Sequence, residues 1–152
     1  MKNRTLILVV LIMAVLIITG SCATGKKSSV SEKDVFKELS GTWINRDYDD
    51  PIKPLCSKVV FESNGSYDHF GDSADTDRSH YGEYTAIVDT WRDSEGNIWY
   101  KATRKDNLFT SVVHEIGKIS DSGNVWELEW AITDFPTEID PNRGNYNIRY
   151  RQ

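Results

Sequence analysis

The sequence predicts an all-β domain in which eight antiparallel strands run as a meander and close into a small barrel, with one short helix ahead of them. Three observations predict it. From Gly41 onward the apolar pattern has period two, clearest over 125–132, where Trp126, Leu128, Trp130 and Ile132 alternate with Val125, Glu127, Glu129 and Ala131. Turn-forming groups punctuate the apolar runs: Asn64-Gly65, Glu95-Gly96-Asn97, Ser122-Gly123-Asn124 and Asp106-Asn107. No helical pattern separates the runs, so βαβ units are excluded. An open eight-stranded meander would expose two strand edges, and closure removes both. A two-layer β-sandwich is the alternative architecture.

Taken in order, Ser31-Glu32-Lys33-Asp34 places a helix N-cap and an acid three residues on, and Val35, Phe36 and Leu39 follow at helical spacing, so 31–39 is expected to be the helix. Strands are expected at 42–46, 57–62, 66–70, 81–91, 98–104, 108–119, 125–132 and 146–151. Two longer connections carry prolines: 47–55 with Pro51 and Pro54, and 133–144 with Pro136 and Pro141. Residues 31–152 suffice for one hydrophobic core, not two.

Ahead of this domain the composition changes. Lys2 and Arg4 precede an unbroken apolar run from Leu6 to Ile18, and small residues lead to Cys22. That order is a secretory signal peptide over 1–21, too short in its apolar part for a membrane span of ~20 residues. Thr19-Gly20-Ser21-Cys22 resembles a bacterial lipobox, which implies lipid attachment at Cys22, with 22–30 as lipidated cysteine and flexible tether. Ala23 follows the cysteine, and the sorting rule of Gram-negative lipoproteins then implies the outer membrane, facing the periplasm or the cell surface. With Cys22 lipidated, Cys56 is a lone thiol beside an expected strand start, where a buried position is expected. Removing 1–21 takes two basic residues and no acid, leaving 16 basic against 23 acidic residues, a net of −7. Such a charge argues against nucleic acid and against adhesion to anionic lipid.

The domain resembles the lipocalins. Gly41-Thr42-Trp43 follows the short helix and opens the first strand, as the G-x-W motif does in that family; eight strands follow, and the last carries Arg149 and Arg151. In the family such an arginine covers the first-strand tryptophan, a cation–π contact worth ~0.5–2 kcal/mol. The resemblance implies a closed barrel tied together by Gly41, Trp43 and one of those arginines, and it raises the question of a ligand.

A barrel of eight strands is either filled by its own side chains or holds one small ligand. If a ligand is held, Trp126 and Trp130 are the expected contacts, with Trp91 and Trp99 from neighbouring strands, and the ligand is apolar; Arg104 or Lys101 would meet any acid group. If the core is filled, the domain is a protein-interaction module of the cell envelope. No nucleophile motif is present, paired carboxylates cannot be singled out among 23 acids, and no cofactor is implied, so the expectation is a non-enzyme. The acidic stretch 72–77 lacks the glycine and the terminal glutamate of a calcium loop. His69 and His80 flank it and could approach across a hairpin, but no close histidine pair in sequence supports a metal site.

Overall fold

A computed structural model describes residues 29–45, 58–71 and 78–152. Helix α1 (Glu32–Leu39) precedes strands β1 (Gly41–Ile44), β2 (Lys58–Phe61), β3 (Ser66–Phe70), β4 (Arg78–Arg92), β5 (Ile98–Asp106), β6 (Val113–Ile119), β7 (Val125–Ala131) and β8 (Tyr146–Arg151). Each strand pairs antiparallel with the next, and β8 returns to β1 through Trp43↔Arg151 and Ile44↔Tyr150. This closure decides for the barrel over the sandwich. Cys22, the tether as far as 28, Cys56, the 47–55 connection and the acidic stretch 72–77 lie outside the described residues.

Helix α1 starts where Ser31 caps it. The Ser31 hydroxyl accepts from the Asp34 backbone N–H at 3.2 Å, and the Asp34 carboxylate accepts in return from the Ser31 N–H at 3.2 Å. Val35 and Leu39 on its inner face are fully buried, and Phe36 packs against Phe61 and Tyr84. Its far end is held by the last strand. Arg151 donates to the carbonyls of Glu38 and Ser40 and to that of Gly123, which sits in the β6–β7 turn. A cation at a helix C-terminus is favourable against the aligned peptide dipoles.

Of the two candidate arginines, Arg151 covers Trp43, with its guanidinium carbon 4.4 Å from the ring centroid. Trp43 is fully buried, donates its indole N–H to the Leu39 carbonyl at 2.6 Å, and meets Trp126 edge-on at 5.5 Å. Arg149 repeats the arrangement one step along β8, 4.5 Å over Trp126.

Two expected strands are shorter than their apolar runs. The run 108–119 yields strand only from Val113, because Asp106 accepts from the Leu108 N–H at 2.9 Å and its carbonyl from Phe109 at 3.1 Å, turning the chain out of the sheet. The run 125–132 stops at Ala131, leaving Ile132 exposed beyond it. The outward side of β7 also differs from expectation. Glu129, expected in solvent, is buried beneath connection 132–145, where Arg143 donates to one carboxylate oxygen at 2.7 Å and the Asp140 N–H to the other at 2.8 Å.

The alternating chain directions divide the barrel into two ends. The β2–β3, β4–β5 and β6–β7 turns share the end that α1 covers; at the first of these Gly65 takes φ +91°, with the Phe36 ring where a side chain would be. Connections 107–112 and 132–145 lie at the opposite end.

Candidate functional site

Inward-facing positions of β5 and β6 carry charge in the middle of the barrel. On β5, Ile98, Tyr100, Ala102, Arg104 and Asp106 alternate inward; on β6, Val113, Glu115 and Ile119 do so. Arg104 Nε donates to one Glu115 oxygen at 3.0 Å, while one of its terminal nitrogens reaches Asp106 at 2.9 Å and the Tyr67 hydroxyl at 2.7 Å. The second Glu115 oxygen accepts from the hydroxyls of Tyr84 and Tyr100, the latter at 2.7 Å, and Trp126 donates its indole N–H to Tyr100 at 2.8 Å. Two carboxylates thus share one guanidinium, and three phenols and the Leu108 N–H supply further hydrogen bonds, as a buried ionic group requires.

Glycine makes room for these phenols. A Cβ on Gly117 would lie 2.2 Å from the Tyr100 ring, and one on Gly82 would lie 2.1 Å from the Tyr67 hydroxyl. Each tyrosine therefore crosses a bare stretch of neighbouring backbone to reach the network.

Burial sets the protonation states. It raises the Tyr84 and Tyr100 phenols well above their ordinary value, with Glu115 adding to the effect, so both remain donors. Next to this network, His69 and His80 oppose each other across β3 and β4 and stack at 3.8 Å between centroids. Burial holds His69 well below its ordinary pKa, with Arg149 adding to the effect, and lowers His80 to about 4 although Asp106 lies 3.8 Å away and opposes it. Both imidazoles are therefore neutral at physiological pH.

Among the described residues, one cavity of about 10 Å³ lies beside Arg149, Tyr84 and Glu115, and one of about 40 Å³ lies at the loop end, beside His80, Asn147, Trp130 and Arg149. The first has room for a single water; neither admits a drug-sized molecule, which needs ~300 Å³ or more. A larger groove of about 570 Å³ lies outside the barrel, between β4, β5 and connection 107–112, with Tyr81, Glu83, Lys105, Phe109 and Val112 among its walls.

The four tryptophans expected around a ligand are not brought together. Trp126 is inside and fully buried, but its faces meet Trp43, Phe61 and Arg149. Trp130 is half-buried at the loop end against Phe109, 5.3 Å away. Trp91 and Trp99 stack on each other at 5.7 Å on the outer wall, where Asp93 accepts from the Trp99 indole at 2.8 Å. Lys101 alternates with the inward residues of β5, and Arg104 is already engaged, so neither waits for an acid group. The residues that sequence reasoning passed over are Glu115 and Asp106. Their strand parity was the available signal, since each falls in register with inward apolar neighbours.

Among the described residues no group of three His, Cys, Asp or Glu side chains is placed to hold a metal, and no helix is long and apolar enough to cross a membrane. Compared with known proteins, the chain matches no family model, no curated protein and no solved structure.

Proposed function

We propose that this chain is a lipocalin-like, non-enzymatic interaction module of the bacterial cell envelope, tethered through a lipidated Cys22 and binding a protein partner at the loop end of its barrel. One observation carries the reading. Of the five exposed large apolar residues among those described, four (Tyr81, Leu108, Val112 and Ile132) belong to connections of the loop end or to the strand beside them, whereas the cavities lined by described interior residues are only about 10 and 40 Å³. Exposed apolar groups gathered in one region of an otherwise charged surface are a mark of interaction sites, and loops on a rigid scaffold are where such sites are built.

The test is site-specific photo-crosslinking in living cells of the source bacterium, with a photoreactive residue at Val112 and, as reference, at Val88 on the far part of β4. A discrete protein adduct at Val112 that Tyr81→Glu abolishes, and that is absent at Val88, is expected. Adducts of equal yield at both positions overturn the reading. The tether is tested separately: Cys22→Ala should abolish fatty-acid labelling and release the domain from the membrane fraction, and an unlabelled wild type refutes the anchor.

The outer groove favours a second reading. Its volume falls within the range of ligand sites, so a small apolar ligand would sit against Phe109 and Val112 and not inside the barrel. Native mass spectrometry of protein purified from the source organism separates the two, since a co-purified small molecule is expected only from the second.

A further inference from the structure

Arg149 is the one charged group of the interior that the network leaves alone. The residue is only 5 % exposed, yet its Nε has no hydrogen-bond partner, and no carboxylate among the described residues pairs with its guanidinium. Among the described residues, its guanidinium lies over the Trp126 ring, 4.5 Å away. A cation–π contact satisfies one face of a guanidinium and none of its five N–H donors. Leaving a buried charge without hydrogen bonds is costly enough that native proteins rarely do so.

The space beside it has the matching character. The cavity of about 40 Å³ at the loop end has Arg149, Arg104 and Asp106 in its walls. With both histidines neutral, Arg104 is matched by Asp106 and, behind it, by Glu115, so Arg149 is the cation in these walls that no described carboxylate pairs. Asp106 is spoken for, since Arg104, Tyr67 and the Leu108 N–H donate to it. Asn147, on the same face of β8 as Arg149, adds a carboxamide whose Nδ2 donates to the Asn145 carbonyl only at a long 3.5 Å.

We propose that this cavity binds one small monovalent anion, of the size of chloride or nitrate, on the Arg149 guanidinium, with Asn147 as a second donor. The size limit follows from the volume, which exceeds the ~10–15 Å³ that one water needs but leaves no room for an acyl chain. The sign follows from the Arg149 guanidinium, whose buried Nε has no hydrogen-bond partner. The proposal does not depend on the partner proposed above, because it concerns the inside of the barrel.

The test uses chloride itself. Added to the full chain in detergent, it should show saturable broadening of the chlorine-35 resonance. In Arg149→Met, which keeps the length and the apolar stem, the apparent affinity should fall by at least about tenfold, the order expected for losing a charged hydrogen bond. Non-saturable broadening, or saturable broadening unchanged in folded Arg149→Met, overturns the proposal. Should that variant not fold, bromide-soaked crystals of the unaltered protein decide: an anomalous peak beside Arg149 is expected, and water alone at that position overturns the assignment.

Discussion

At the end of the barrel covered by α1, Trp43, Phe61, Val35 and Leu39 pack into an apolar layer, and the turns are tight. Toward the other end the same barrel holds Arg104, Glu115, Asp106, His69, His80 and Arg149, all buried, beneath its longer connections. The difference teaches where stability and adaptability are kept apart. The helix end gains chiefly from burial, with the Ser31 cap and the Arg151 hydrogen bonds holding α1 in place. The loop end depends on each charge finding its partner, so it is expected to respond to protonation, to single-charge deletions and to anything that enters from solvent.

The sharpest way to break this contrast is Arg104→Met. It strands two buried carboxylates at once, and the loss should reach the upper part of the range for broken buried ion pairs, about 5 kcal/mol in a urea titration. A loss below about 1 kcal/mol would mean that the network contributes little to stability. At the helix end Trp43→Ala removes a fully buried indole from between Arg151 and Trp126. A cost of about 4 kcal/mol is expected, without change in the pH dependence of stability.

That pH dependence belongs to the loop end. An unfolded histidine titrates near its ordinary 6.5, whereas His80 in the barrel is lowered to about 4. Between those values the unfolded chain binds a proton that the folded chain refuses, so stability is complete above pH 6.5 and falls as the pH is lowered toward 4. The loss from His80 is on the order of 3 kcal/mol, with His69 acting in the same direction. Urea midpoints at pH 7 and pH 4.5 measure it, and His80→Phe should reduce the difference between them; an unchanged difference would assign the acid sensitivity to other groups. The smallest effect is expected from Ser31→Ala, which removes the helix cap at an exposed site, about 1 kcal/mol.

Much of this architecture is legible in the chain itself. Period-two alternation and the Gly-containing turns locate all eight strands, and Ser31 with Asp34 announces α1 to within a residue. Strands β3 and β8 fall where the alternation puts them. The functional site was far less legible. Trp91 and Trp99 have the composition of a ligand pocket but the parity of the outer wall, and hydrophobicity alone does not reveal which side of a sheet a tryptophan takes. Glu129 shows the converse, an outward acid that becomes buried only because connection 132–145 folds back over it with Arg143.

What the sequence determined by itself is therefore local: which residues extend, where the chain reverses, and that a helix precedes the first strand, because alternation, capping and turn chemistry act over a few neighbouring residues. Closure, and with it the meeting of Trp43 with Arg151 across 108 positions of chain, was decided by tertiary structure. So was the polar interior. Arg104, Glu115, Tyr67 and Asp106 come from three strands, and only the register of those strands brings one guanidinium within reach of two carboxylates and a phenol. Coulomb attraction and hydrogen bonding act over a few ångströms, and nothing in the linear order of residues states which groups will come that close.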